Sequence, residues 1–307
     1  MAILEVKNLS IHFRQYTNGL RRRTLEAVSG FSLSLNEGEV LAVVGASGSG
    51  KSLLAHAILG ILPPNAERYG EIVYAGEPLT GERQAALRGK EIALIPQSVG
   101  YLDPLMRVGA QVRTAVRTGD PAEEQRKAFA RYGLRAETEK LFPFQLSGGM
   151  ARRVLVSTAV VSGARVLIAD EPTPGLDPAA LAQALGYFRE LADRGAAVML
   201  ITHDIESALT IADRIAVFYA GTTVEIAPAT DFAGDGAALR HPYTRALWRA
   251  LPRNGFAPIP GAQPSPDALP DGCLFEPRCD MATPACAARK PRLQQVRGGS
   301  VWCEHVT

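Results

Sequence analysis

The sequence predicts an α/β chain: a parallel sheet covered by helices, antiparallel strands before it, a helical segment within it, and an irregular extension carrying every cysteine. Three observations predict this. The apolar runs at residues 40–44, 166–169 and 197–201 are short and continuous, and helical stretches separate them, as expected of strands buried on both faces. The first run passes through Gly45-Ala46-Ser47-Gly48-Ser49-Gly50-Lys51-Ser52 straight into the helical residues 53–62. From Pro252 the composition shifts, with Pro258, Pro260, Pro264, Pro266 and Pro270 among glycines, followed by four cysteines.

Taken in order, residues 3–13 alternate as a strand does, and residues 14–24 read as a polar, basic hairpin loop around Gly19. Residues 25–35 resume the strand, and Asn36-Glu37-Gly38 turns into the glycine-loop strand. The helix after Ser52 is expected to stop at Pro63-Pro64. Residues 71–76 read as strand and turn, and residues 91–95 as a short strand ending at Pro96-Gln97. Residues 98–163 are mostly helical, and residues 179–194 form the helix between the last two apolar runs.

The bulk composition narrows the function. The 307 residues are 47% hydrophobic and 21% charged, an ordinary globular balance. With 33 basic and 31 acidic residues the net charge is +2, which gives no argument for a nucleic-acid partner. Arg21-Arg22-Arg23 reads as a solvated loop. The N-terminus lacks the basic-then-apolar pattern of a signal peptide, and no segment approaches the ~20 apolar residues that span a bilayer. Any membrane attachment is expected to run through partners.

The eight-residue loop satisfies G-x-x-x-x-G-K-[ST], a phosphate-binding pattern. Its glycines let backbone N–H groups turn inward around a di- or triphosphate, and the following helix presents its positive end to the same anion. Gly45, Ser47, Gly48, Ser49, Gly50, Lys51 and Ser52 are the candidate contacts; Lys51 can reach the β- and γ-phosphates and Ser52 can offer its hydroxyl to Mg²⁺. Asp170 ends the apolar run 166–169 and can hold the same Mg²⁺. Glu171 can orient the water that attacks the γ-phosphate, and His203, at the end of the neighbouring strand, can bond the phosphate and that water. Alone, Asp-Glu after a strand reads as a helix cap and a single His as structural. Gly45, Gln97, Asp170, Glu171 and His203 all fall at carboxyl ends of parallel strands, where such sheets bind ligands. Ser147-Gly148-Gly149, opening a helix, is a second anion-binding device or a capping turn. One nucleotide does not need two such loops from one protomer, so this loop is expected to serve a nucleotide held by another subunit.

With Leu146-Ser147-Gly148-Gly149-Met150 as signature, Gln97 as Q-loop, Gly175-Leu176-Asp177 as D-loop and His203 as switch histidine, the chain resembles the ATP-binding cassette (ABC) ATPases over nearly its whole length. Residues 212–221, His241-Pro242-Tyr243-Thr244-Arg245-Ala246-Leu247 and residues 272–279 narrow the likeness to the oligopeptide/dipeptide/nickel importer branch. The resemblance implies a P-loop NTPase core at residues 1–227, a helical signature subdomain at about 98–163, and a transporter-type extension at 228–307. It implies head-to-tail cassettes with two ATP between them, each touched by one subunit's phosphate loop and the other's Ser147, Gly148, Gly149 and Asp177. Phe13 then stacks on adenine, although alone it reads as a half-buried strand residue. Gln97 links Mg²⁺ and the attacking water to residues 98–107, which face the membrane subunits. Implied partners are a second ATPase, commonly a paralogue, two membrane permeases and an extracytoplasmic binding protein, with the chain peripheral on the cytoplasmic face of the bacterial inner membrane. Pro174 and Ala151 depart from the family pattern without removing a phosphate or metal contact.

Cys273, Cys279, Cys286 and Cys303 lie within 31 residues and lack C-x2-C pairing. The resemblance implies a 4Fe–4S cluster; Zn²⁺ on the same thiolates and four small buried hydrophobes are the alternatives. The expected function is ATP hydrolysis driving import of di- or oligopeptides or a nickel chelate. A soluble ABC ATPase acting on ribosomes or DNA would carry tandem cassettes or a long inserted coiled coil, and a small-molecule kinase would leave the signature loop idle.

Overall fold

The structure, a computed structural model, describes residues 2–16, 22–46 and 48–306. Strands β1 (Ala2–Tyr16) and β2 (Arg22–Asn36) form a long antiparallel ribbon in which Tyr16 still pairs with Arg22. The segment expected to be a loop, residues 14–24, is therefore strand at every described position, with residues 17–21 outside the described residues. Arg14 to Tyr16 and Arg22 to Thr24 are exposed, and a ribbon solvated on both faces has no alternation to read.

β3 (Val40–Gly45) is wholly buried and feeds α1 (Lys51–Leu59). The helix ends at Gly60, left-handed with φ 65°, before the prolines expected to stop it. β4 (Ala66–Tyr74) pairs with β1 and the short β5 (Glu77–Pro78), completing an antiparallel sheet in the order β2-β1-β4-β5. After α2 (Gly81–Leu87) and β6 (Ile92–Ile95) the chain enters the helical segment: α3 (Val108–Ala115), α4 (Pro121–Arg131) and α5 (Gly148–Val161). These helices close on a small core of their own, including Val108, Val112, Phe129 and Val154. There follow β7 (Val166–Asp170), α6 (Pro178–Asp193), β8 (Ala197–Thr202), α7 (Ile205–Leu209), β9 (Arg214–Tyr219), β10 (Thr222–Pro228), α8 (Pro242–Arg249), α9 (Pro284–Ala288), β11 (Leu293–Val296) and β12 (Gly299–Trp302).

The main sheet runs β11-β12-β10-β9-β3-β8-β7-β6. Its β9-β3-β8-β7-β6 portion is parallel. Alternate residues of β3 enter different cores. Val40, Ala42 and Val44 pack with Leu185 and Phe188 of α6, while Leu41 and Val43 pack with Leu54 and Ile58 of α1 and with the N-terminal sheet. A strand covered on both faces has to be apolar at every position, which is why its run is unbroken.

The extension differs from the irregular lobe expected. Its β11–β12 hairpin turns through Arg297 and Gly298, both at positive φ, and β12 joins the main sheet beside β10. Two four-residue strands are too short for periodicity to reveal. A buried charge cluster pins this addition. Arg240 Nη1 meets Glu225 at 3.2 Å and Asp231 at 2.7 Å, while its Nε and Nη2 donate to the carbonyls of Val296 and Arg297. A Cβ on Gly299 would fall 2.7 Å from the guanidinium carbon, so only glycine lets β12 pass this close.

Candidate active site

The phosphate loop leaves β3 at Gly45. There β9 approaches so closely that a Cβ would lie 2.2 Å from the Phe218 carbonyl oxygen. Glycine at this position lets the loop start between the two strands. The loop reaches α1 through Gly50, and a cavity of about 260 Å³ opens over it, lined by Gly48, Gly50, Lys51, Ser52, Leu53, Gln97 and Glu171. Ser47 lies outside the described residues, and the Ser49 hydroxyl is buried without a partner among them.

Lys51 Nζ donates to the carbonyls of Gly45 at 2.8 Å and Ala46 at 2.9 Å. An ammonium has three donors, so one remains for a ligand. Ser52 Oγ lies 3.0 Å from Asp170 Oδ1, joining the first turn of α1 to the end of β7. Burial pushes the Lys51 ammonium below its usual range and the Asp170 carboxyl above its own. Both charges are held short of compensation. A polyanion beside Lys51 and a cation beside Asp170 would restore each, and hard oxygens from Ser52, Asp170 and Gln97 suit Mg²⁺.

Glu171 follows β7 with φ 45°, a left-handed conformation uncommon outside glycine. Its carboxylate lies 3.0 Å from His203 Nδ1 through either oxygen. A carboxylate only accepts, so Nδ1 carries the hydrogen.

A further group escaped sequence reading. Arg152, buried on α5, donates through Nη1 to the carbonyls of Pro96 at 3.3 Å and Glu171 at 3.0 Å. It ties the start of the Gln97 loop to the strained backbone of Glu171. Burial lowers its pKa while Glu171 and Asp170 oppose the shift. One arginine in an arginine pair beside the signature carries no sequence signal for this; only its burial reveals it.

The remaining candidates do not line the cavity. Ser147 caps α5, accepting from Met150 N at 3.3 Å, and is exposed with Gly148. Asp177 caps α6, accepting from Ala179 and Ala180 N at 3.0 Å, bonds that hold its carboxyl below the usual range. Phe13 is half-buried on β1 against the N-terminal core, paired with Leu25 and Ala66.

The profile of the ABC transporter family matches residues 28–174, and that of the oligopeptide/dipeptide transporter C-terminal region matches residues 224–286. The dipeptide transport ATP-binding protein DppD of Escherichia coli is 36% identical over 97% of this chain and 95% of its own. The chain belongs to the ABC transporter ATP-binding proteins. As an ABC ATPase it hydrolyses ATP to power transport. The oligopeptide transport ATP-binding protein OppD of Mycobacterium tuberculosis is 37% identical over 96% of this chain, which spans half of that longer protein. Among solved structures, a dimeric post-hydrolysis ATP-binding cassette bound to ADP and Pi superposes with TM-score 0.65 at 23% identity, covering 74% of this chain and 98% of that one. That likeness establishes the cassette fold.

In this ABC ATPase the four cysteines are free thiols around one small pocket shared with His241 and His305. Cys286 Sγ lies 3.3 Å from His305 Nε2, and burial pushes the Cys273 thiol up to about 11. The pocket holds about 10 Å³, and among the described residues no three His, Cys, Asp or Glu side chains stand close enough to share a metal ion. As folded here, the pocket gives no support to a 4Fe–4S cluster or Zn²⁺. No helix among the described residues is long and apolar enough to cross a membrane.

Proposed function

We propose that this ABC ATPase energises the import of di- or oligopeptides by working head to tail with a second cassette, a paralogue or a second copy. The observation that carries the reading is the division of the site: Lys51, Ser52, Gln97 and Glu171 share one cavity, and Ser147, Gly148, Gly149 and Asp177 lie outside its lining. Exposed N–H groups at the start of α5 suit an anion brought by another molecule.

In this scheme the phosphate-loop amides and the third Lys51 donor bind the β- and γ-phosphates. Ser52, Asp170 and Gln97 would hold Mg²⁺, which would supply charge neutralisation between those phosphates. Glu171 orients the attacking water, and His203 fixes the Glu171 carboxylate while facing the same phosphate. Phe13 stacks on the adenine. Closure over ATP and opening after hydrolysis select between two states of the transporter.

The named relatives DppD and OppD favour peptides over a nickel chelate as cargo. Residues 98–107 dock on two membrane permeases, which place the chain on the cytoplasmic face and receive cargo from an extracytoplasmic binding protein. Iron, sulfide and zinc content of anaerobically purified protein tests the cluster implied by the family resemblance; four thiols free of all three remove it.

Ser147→Arg tests the division. ATP affinity of the lone subunit is expected to stay unchanged, while ATP-dependent dimerisation and turnover are lost. Turnover at the wild-type rate would show that the loop never meets nucleotide. Transport by the reconstituted system, peptide against chelated nickel, decides the cargo.

A further inference from the structure

A second cavity, of about 330 Å³, opens where β2, β10 and the extension meet, and it shares no lining residue with the phosphate site. Phe275 and Trp302 give it apolar walls, Thr222 and Thr223 polar ones. Its size falls in the range of small-molecule sites.

Three of its polar groups bear on what it could hold: exposed Lys290 and half-buried Glu26, which line it without an ion pair between them among the described residues, and one buried donor. Lys290 Nζ donates to Ser29 Oγ at 2.8 Å, and among the described residues no carboxylate pairs with it. Glu26 has no lysine or arginine partner there; its nearest cationic candidate is His12 Nε2 at 3.7 Å. His241 is buried and accepts from Tyr243 N through Nδ1 at 3.0 Å, so Nε2 carries the hydrogen. That Nε2 has no acceptor among the described residues. A buried donor without an acceptor costs free energy that a bound acceptor recovers.

We propose that this cavity binds a small zwitterion, an α-amino acid or dipeptide, with its carboxylate at Lys290, its ammonium at Glu26 and its side chain against Trp302 and Phe275. A nucleotide is disfavoured, since one lysine faces several phosphate charges with Glu26 beside them. The proposal rests on the cavity and not on the cargo of the transporter.

Trp302 makes the site readable. The chain has two tryptophans, and Trp248 packs against Phe232 inside the core, so Trp248→Phe leaves Trp302 as sole reporter. The probe is leucyl-leucine, compared with its N-acetyl and C-amide forms, with calorimetry on the wild-type chain as a second measurement. A saturable change with leucyl-leucine is expected, and about tenfold weaker binding of each blocked form. Glu26→Gln should erase the preference for a free ammonium, and Lys290→Met the preference for a free carboxylate. No saturable signal by either method up to about 10 mM overturns the proposal. So does binding that neither substitution alters. ATP hydrolysis and the Ser147→Arg result, measured on the same preparations, are untouched by either outcome and report separately on the transporter reading.

Discussion

Two of the buried charge groups among the described residues, those around Arg240 and Lys51, are buried differently. Around Arg240 each guanidinium nitrogen has an acceptor, and Glu225 receives Arg240 N, His241 N and Arg240 Nη1. Around Lys51 the ammonium rests on two neutral carbonyls, Asp170 has a serine for partner, and burial opposes the charge of both. The first cluster is complete and holds the extension to the sheet. The second is incomplete, which is what the proposed polyanion and cation would remedy. Saturation of hydrogen bonds, and not burial alone, separates a structural ion pair from a binding site.

The contrast breaks most readily at Arg240. Arg240→Met strands the buried Glu225 and releases β11 and β12, so denaturant unfolding should report a loss of about 3–5 kcal/mol. ATP affinity of the folded fraction should hold. A stability change near zero would mean that the cluster anchors nothing.

Glu171→Gln keeps the shape of the side chain and removes its charge. Turnover should drop by about 10²–10⁴ with ATP binding retained and the closed dimer trapped, as read by single-turnover kinetics and sedimentation. Wild-type turnover would assign the water to another residue. Lys51→Met is the sharpest opposite to Arg240→Met. Nucleotide-free stability should move by no more than about 1 kcal/mol, because the ammonium is poorly compensated. ATP affinity should fall about tenfold to a hundredfold. Equal losses of stability at the two sites would erase the distinction. The smallest effect is expected from Arg152→Gln: a fall in kcat of about threefold to tenfold with KM for ATP unchanged, since Arg152 positions Glu171 and touches no substrate. A change confined to KM would place it in ATP binding instead.

Legibility followed the same division. Gly45 to Ser52 is read directly because a phosphate loop works through consecutive backbone amides, so the pattern of the proposed site is contiguous. Asp170 and Glu171 were legible as the end of an apolar run, and their meeting with Ser52 and His203 followed from parallel strands ending on one side. The ribbon beyond residue 13 was not legible, since exposure on both faces removes the alternation. Neither was the hairpin of β11 and β12, four residues a strand and identifiable only by what it pairs with.

The sequence by itself determined the parallel sheet, the phosphate loop and the acidic pair at the end of β7, because each is encoded within a few adjacent residues. Only the tertiary structure decided that Arg152 joins Pro96 to Glu171, that Arg240 and Glu225 are one saturated cluster, and that all four cysteines line one small pocket. Those contacts join residues that the chain brings together only when β12 docks on β10 and α5 packs beneath β6 and β7, and no local pattern records such distances.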